Sequence, residues 1–281
     1  MSDQPINPLS KHFRQPALYL KLPSQGRWYP NGAIELPLNG EIPIYAMTAR
    51  DEITFKTPDA LLNGTSTVAV IQSCCPNIKD AWKMPAVDLD PVLIAIRLAT
   101  YGKAMDFTAV CPHCETKLES TLDLSFMLSK IQPSNWSDPI EINDLKILLK
   151  PQSFEDFNKN STLNFEEQRI LKLVSDDTIS DEVKTEKFDL LFKDLLESGI
   201  SQIGKSVMSI TTPDGEVVTE KLFISDFLNN CERQIWEAIK VKLESIKASD
   251  TYSTLDLTCS NEECLKEFNT PFVFEQSTFF V

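Results

Sequence analysis

Four of the seven cysteines fall in two closely spaced pairs, Cys111 with Cys114 and Cys259 with Cys264. Thiolates are ligands that zinc prefers, and four of them in a tetrahedron complete the coordination shell of a structural site. Two pairs on tight turns can supply these four ligands, and in a reducing compartment such pairs favour metal over disulfides. The sequence therefore predicts one zinc ion held by Cys111, Cys114, Cys259 and Cys264.

Two alternatives to a four-cysteine zinc site stay open on the sequence alone. The residues could be ordinary thiols, since cysteine is common in protein cores, or His113 could replace one cysteine as a ligand. A shell closed by four thiolates leaves no open position for water, so the predicted site would stabilise the fold and not catalyse a reaction. The other cysteines, Cys74, Cys75 and Cys231, have apolar neighbours and are predicted to lie in the core.

Each cysteine pair has a predicted strand on both sides. These strands are Met105–Val110 and Lys117–Leu124 around the first pair, and Leu255–Thr258 and Phe268–Phe274 around the second. Two hairpins whose turns share one metal form a zinc ribbon. A compact ribbon has roughly 15–20 residues between its pairs, far fewer than separate Cys114 from Cys259. The predicted fold is therefore α+β, with a split zinc ribbon and a mostly helical domain inserted between its two hairpins.

The order of the elements divides the chain into four predicted regions. Proline and glycine punctuate the first region, which is predicted to be β structure or an extended arm. The second region holds helices and then the first hairpin of the ribbon, and the third is the inserted domain. The boundaries are 1–50 for the N-terminal region, 51–125 for the helical segment with the first half of the ribbon, 126–250 for the inserted domain with its hairpins, and 251–281 for the second half of the ribbon.

Local patterns place the main elements within these regions. Asp90, Pro91 and Gly102 bracket a helix that is apolar on nearly every side, which predicts that it is buried. The other predictions are extended pieces at Ala17–Leu22 and Ile42–Met47, a helix start at Thr57–Asp59 with a stop or kink at Gly64, a short helix at Val68–Cys75, a hairpin turning at Asn143-Asp144, helical structure over 153–200, a hairpin of Val207–Thr211 with Glu216–Phe223, and a helix from Ser225 or Asp226 to about Lys247.

The stretch from Gly199 to Ser206 fits the consensus of a phosphate-binding loop. Such a loop follows a buried strand and opens a helix, because loop amides and the helix N-terminus hold the phosphates. Here a predicted helix, Lys187–Glu197, comes before the motif and a predicted strand follows it. The reversed context favours a plain helix end and loop. Other catalytic motifs are absent from the sequence, and the chain is predicted not to be an enzyme.

The amino-acid composition and the net charge argue against several classes of binding partner. The 281 residues are 42% hydrophobic and 24% charged, which predicts an ordinary globular core. A formal net charge of −14 repels phosphate backbones, so nucleic acid is a poor candidate for a partner. Met1–Asn7 lacks an apolar signal core, and no apolar stretch reaches the roughly 18 residues that a membrane span needs. The chain is therefore predicted to be soluble and made in the cytoplasm, without a membrane partner or a small-molecule substrate.

Four stretches in the N-terminal half resemble a known family. They are Asn7–Tyr19, Leu22–Pro30, Met47–Ile53 and Thr57–Gly64. These stretches are similar to the baseplate proteins of T-even-type contractile-tail bacteriophages, and among them to the baseplate hub subunit family. The resemblance covers about residues 7–125, while 126–250 carries little of it. It implies a structural or assembly subunit of the tail baseplate, with other tail proteins as partners, in the host cytoplasm during assembly and in the tail of the virion.

Two further questions stay open on the sequence. A zinc ribbon also suits a nucleic-acid-associated phage factor, which is the alternative function, although the net charge opposes it. The run from Arg27 to Pro30 could dock on a neighbouring subunit, since Trp, Tyr and Arg anchor interfaces, or it could pack on its own domain. Phe279–Val281 offers a similar contact, or ends the last strand.

Overall fold

A computed structural model describes residues 8–9, 12–56, 64–133, 135–162, 201–248 and 254–271. The strands are β1 (Pro16–Lys21), β2 (Glu41–Tyr45), β3 (Ala104–Val110), β4 (Lys117–Asp123), β5 (Ile140–Ile142), β6 (Leu145–Leu149), β7 (Val207–Thr211), β8 (Val217–Val218), β9 (Thr254–Thr258) and β10 (Glu267–Pro271). The α-helices are α1 (Ala49–Phe55), α2 (Thr65–Cys74), α3 (Leu89–Tyr101), α4 (Leu124–Lys130), α5 (Lys221–Asn230) and α6 (Arg233–Ala248). Residues 154–162 and 201–206 are also helical. This mixture of helices and small antiparallel sheets agrees with the predicted class.

β1 and β2 pair in antiparallel register and place alternate side chains in the largest apolar cluster, called here the first core. Leu20, Ile42 and Ile44 are buried, while Tyr19 is exposed, as expected for strands with one face on a core. Both strands contact α3. Of the two structures predicted for the N-terminal region, the described part therefore forms β structure that packs into the core.

Helix α3 lies in the middle of the first core. Its residues from Val92 to Ile96 are fully buried, as the all-round apolar pattern predicts. Gly102 ends the helix with φ 87° and donates its N–H to Leu98 O at 3.1 Å, which is the predicted end. The predicted start is wrong by two positions, because Asp88 and not Asp90 is the N-cap. The Asp88 carboxylate makes no capping bond, because it binds residues before α1 instead.

The helices before α3 differ from the prediction. Gly64 precedes α2 with φ 76° and is its N-cap, so α2 confirms the short helix predicted at Val68–Cys75. The preceding helix that Gly64 was predicted to stop or kink would run through residues 57–63, which lie outside the described residues. Helix α1 was not predicted, although Thr48 and Asp51 form a capping box at its start, a signal readable in the sequence. The helix start predicted at Thr57–Asp59 lies outside the described residues.

A second core lies under the four-stranded sheet, whose strand order is β5-β6-β7-β8. The β5–β6 hairpin turns at Asn143 and Asp144, which have φ of 49° and 61°, as predicted. Ile147 and Leu149 of β6 are buried in this core together with Ile210 of β7. Helices α5 and α6 pack against the same core through Ile224, Leu228, Ile235, Ile239 and Ile246.

Two predictions for the α5–α6 region are wrong. The strand predicted at Glu216–Phe223 is limited to Val217–Val218, and α5 begins at Lys221. In this helix Ile224 and Leu228, four residues apart, lie on one face and are both buried.

The single long helix predicted from Ser225 or Asp226 is two helices, separated at Cys231-Glu232. With this break, α6 places Ile235 and Ile239 in the same core that α5 covers. For the helical structure predicted over 153–200, residues 154–162 are helical, and 163–200 lie outside the described residues.

The loop between β1 and β2 joins the two cores. Trp28 packs against the second core, where its ring meets Trp136 edge-on with centroids 6.3 Å apart. Tyr29, the next residue, packs against the first core. The Arg27 guanidinium lies 5.4 Å from the centroid of the Trp28 ring. Of the two roles open for this run, packing on the same chain is the one observed.

A buried carboxylate fixes the start of this loop. Asp88 is fully buried and accepts hydrogen bonds from the Ser24 N–H (2.8 Å), the Ser24 hydroxyl (2.5 Å) and the Tyr29 hydroxyl (3.0 Å). Burial raises the pKa of Asp88 from 3.8 to about 6, although the Ser24 and Tyr29 bonds partly oppose the rise. The folded chain therefore holds a proton on Asp88 more tightly than the unfolded chain does.

This raised pKa predicts a pH dependence of stability. The stabilisation from the proton on Asp88 is complete below about pH 4 and is lost as the pH rises through about 6, at a cost on the order of 3 kcal/mol. We expect urea denaturation between pH 5 and 7.5 to show a fall in the free energy of unfolding that Asp88→Asn lacks. The difference between the two chains isolates Asp88 from other titrating groups. Identical pH profiles would contradict the assignment.

Candidate metal centre

Each predicted cysteine pair sits at the tip of an antiparallel hairpin. β3 pairs with β4 in continuous register from Ala104–Asp123 to Val110–Lys117, and the first cysteine pair lies between them. β9 pairs with β10 from Thr254–Pro271 to Thr258–Glu267, and the second pair lies in that turn. The strands predicted around both pairs are therefore present, apart from residues 272–274, which lie outside the described residues.

The two turns that carry the cysteine pairs, residues 111–116 and 259–266, are called here the knuckles, and they share one backbone conformation. In each turn the N–H of the first cysteine donates a 3.0 Å hydrogen bond across the turn, to Thr116 O in one and to Lys266 O in the other. The residue directly after the second cysteine has a positive φ, 59° at Glu115 and 48° at Leu265. This conformation is uncommon for residues other than glycine. It reverses the chain tightly, so that both cysteines of a pair can face one side.

The turns bring all four sulfur atoms together. The Sγ atoms of Cys111, Cys114, Cys259 and Cys264 lie within 4.8 Å of one another. Across the two knuckles, Cys114 Sγ lies 3.5 Å from Cys259 Sγ, and Cys111 Sγ lies 4.0 Å from Cys264 Sγ. Four thiolates around zinc at about 2.3 Å would be about 3.8 Å apart. The four predicted residues therefore have the spacing and chemistry of a tetrahedral thiolate site.

A small apolar cluster holds the hairpins face to face. Cys111 and Cys259 are buried together with Ala109, Leu118 and Phe268. Leu257 and Phe107 pack against the same cluster. The two remaining ligands, Cys114 and Cys264, are partly exposed. The site is therefore screened by its own hairpins on one side, and each hairpin contributes one buried and one partly exposed thiol.

Thr116 and Asn261 link the knuckles, and sequence reasoning missed both. Asn261 Nδ2 donates to Thr116 Oγ1 at 3.3 Å, and that oxygen lies 3.3 Å from Cys114 Sγ. Hydrogen bonds from the Thr116 hydroxyl and backbone N–H lower the pKa of Cys114 to about 6, which favours its thiolate at neutral pH. Each residue lies two positions after a cysteine, and this spacing was the signal available in the sequence.

Comparison with models of known protein families identifies the family of the chain. The family model described as T4 bacteriophage base plate protein matches residues 29–281. The chain belongs to this family. No curated protein and no solved structure matches the chain significantly. Membership in a baseplate family implies contact with other phage tail proteins and a place in the tail of the virion.

The match confirms the predicted resemblance at the level of the baseplate family and corrects its extent. Residues 126–250 were predicted to carry little of the family's character, yet the match runs through them to residue 281. At the other end, residues 7–28 carried part of the resemblance but lie outside the match. Both hairpins of the candidate metal centre lie within the matched residues, so the matched region includes the whole four-cysteine group.

The remaining cysteines and His113 lie outside this group. His113 is exposed, and its nitrogen atoms are not among the clustered ligand atoms of the described residues. Cys74 and Cys75 are fully buried in the first core, as predicted, and burial raises the pKa of Cys74 to about 12. Cys231 is partly exposed and packs against the second core. These thiols are therefore suited to packing and not to binding a metal.

The apparent phosphate-binding loop has the reversed context that its neighbours predict. The loop predicted here is wrong for residues 201–206, which are helical, and β7 follows directly at Val207. Lys205 therefore stands at the end of a helix and not at its start. Its Nζ atom forms an ion pair with Asp156 Oδ1 at 2.8 Å. Gly199 and the helix predicted at Lys187–Glu197 lie outside the described residues. Across the described ranges, no helix has both the length and the apolar character to cross a membrane.

Proposed function

We propose that this baseplate protein is a structural and assembly subunit of the hub of a contractile-tail bacteriophage baseplate, stabilised by one zinc ion. The observation that carries the proposal is the family match over residues 29–281. The hub is the more specific assignment, and it is supported by the resemblance in Asn7–Tyr19, Leu22–Pro30, Met47–Ile53 and Thr57–Gly64.

The proposed zinc site is a split ribbon. Cys111 and Cys114 would hold the metal from the β3–β4 hairpin, and Cys259 and Cys264 from the β9–β10 hairpin. When bound, zinc supplies four bonds that join segments far apart in the chain. The two hairpins then hold both ends of the proposed inserted domain, residues 126–250, in a fixed position. Residues 1–50, 51–125 and 251–281 form the rest of the proposed division.

We assign no catalytic role and no small-molecule substrate to the chain. Four thiolates close the coordination shell and leave no position for a reactive water. Lys205, the one residue of the phosphate-loop consensus that could contact a nucleotide through its charge, is paired with Asp156. The proposed partners are other baseplate and tail proteins, which meet the chain in the host cytoplasm during assembly and remain with it in the virion.

Capture from infected cells tests the assignment. We expect the tagged full-length chain to bring down baseplate or tail proteins, identified by mass spectrometry, and native mass spectrometry of the captured chain to show one zinc ion. Purified virions should contain the chain. Capture of other phage proteins without any tail protein would contradict the baseplate role. Salt-dependent retention of DNA in that case would favour the zinc-ribbon nucleic-acid-associated factor.

A further inference from the structure

The open edge of β1 has backbone groups that point away from its partner strand. Tyr19 and Pro43 stand opposite each other in the β1–β2 register. Proline has no N–H, so this pair cannot exchange two hydrogen bonds, and the ladder bonds must run through the pairs on either side. Those pairs are Leu18 with Ile44 and Leu20 with Ile42. The N–H and C=O of Tyr19 therefore point outward, and by the same alternation so do those of Lys21.

The two outer edges of this ribbon are not equivalent. On β2, Pro43 offers no outward N–H, and the N–H of Glu41 donates to Asn39 Oδ1 at 3.2 Å. On β1, within the ranges that the structure describes, the outward backbone groups of Tyr19 and Lys21 make no bond to another segment. β2 is thus protected against further pairing, while β1 presents donors and acceptors that an extended chain can use.

The side chains on β1 leave this edge accessible. Tyr19 is 61% exposed, and the Lys21 side chain is 75% exposed. Lys21 is the only charged residue of β1 and stands at its last position. By contrast, the longer edges of β3 and β4 carry Asp106, Lys117, Glu119 and Asp123, and charged side chains along a strand discourage edge pairing.

We propose that the β1 edge binds an extended segment of another tail protein, which adds a strand to the β1–β2 sheet. This inference rests on the proposed function, because it takes the partner from the tail. The occupant would place an apolar or aromatic side chain beside Tyr19. Lys21 already has an acidic partner within the ribbon, since its Nζ lies 3.8 Å from Glu41 Oε1. A second copy of the chain is disfavoured as the occupant, since it would bring together two molecules that each carry a formal net charge of −14.

Replacing Tyr19 by proline and by alanine separates the backbone from the side chain. Tyr19→Pro removes the outward N–H but spares the β1–β2 ladder, as Pro43 does in β2. Tyr19→Ala keeps the N–H and removes only the side chain. From infected cells, we expect the tagged Tyr19→Pro chain to capture at least about tenfold less of one tail protein than the original chain. We expect Tyr19→Ala to capture about two- to fivefold less.

A second measurement needs no substitution. Hydrogen exchange at the Tyr19 and Lys21 amides should be fast in the isolated chain and slow in the captured complex. Unprotected amides in the complex would contradict the proposed binding at the β1 edge, and so would equal capture by Tyr19→Pro and the original chain. Neither result would contradict the baseplate role. A complex made only of two copies of the chain would overturn the heterologous occupant. If the original chain captured no tail protein, both the proposed binding at the β1 edge and the proposed baseplate role would be contradicted.

Discussion

Replacing Cys259 with serine is expected to release the zinc ion and open the paired hairpins. Cys259 is buried between the two knuckles, and its sulfur lies 3.5 Å from that of Cys114. Zinc binding contributes on the order of 10–16 kcal/mol in small zinc-finger peptides, far more than the small apolar cluster around Ala109, Leu118 and Phe268 can supply. We therefore expect hydrogen exchange in β3, β4, β9 and β10 to accelerate by several orders of magnitude.

Cys231→Ser is the matched control for this change. Cys231 is partly buried, packs against the second core and lies outside the sulfur group. This variant should keep one zinc ion per chain and the original exchange rates in all four strands. The proposed site would be contradicted if Cys259→Ser kept its zinc, or if it lost zinc while β9 and β10 stayed protected. The second outcome would mean that packing alone joins the hairpins.

Replacing Phe154 with alanine is expected to cost about 3–5 kcal/mol of the free energy of unfolding. Its ring is 1% exposed and stacks on Trp82, with centroids 5.5 Å apart and planes 14° apart. Its N–H donates to Met84 O at 2.7 Å. Phe154 follows β6 after a short connection, so it brings the chain from the second core back to the first.

Phe157→Ala tests whether the loss of stability expected for Phe154→Ala comes from the burial of its side chain. Phe157 lies three residues further along the same helical segment and is 45% exposed. We expect its replacement to change stability by no more than about 0.5 kcal/mol in urea denaturation. Equal losses for the two variants would show that the helix itself, and not the Phe154 contact with the first core, determines the cost. A loss under about 1 kcal/mol for Phe154→Ala would contradict its assigned position.

The sequence could predict features whose signal is local. Paired cysteines with strands on both sides are such a signal, and the four predicted thiols do lie together. The burial of α3 was predictable because its apolar residues cover every side. The turn at Asn143-Asp144 was predictable because the two residues tolerate positive φ. In each case a few neighbouring residues contain the information.

Features that depend on distant contacts could not be read in this way. Leu228 and Ile235 are buried on either side of the break between α5 and α6, and the sheet that they cover does not show in the helical pattern. Trp28 was open to two roles because its neighbour Trp136 lies far along the chain. Thr116 bonds to Asn261 only because the two knuckles meet. Pairing of distant segments decides all three features, and no local pattern in the chain contains it.

The proposed fold depends on one zinc ion held by four cysteines from two hairpins. X-ray absorption at the zinc edge, on the purified full-length chain, measures this coordination itself. We predict one zinc per chain, surrounded by four sulfur atoms at about 2.3 Å. A folded chain without zinc, or a zinc ion bound directly by nitrogen or oxygen atoms, would contradict the proposed site.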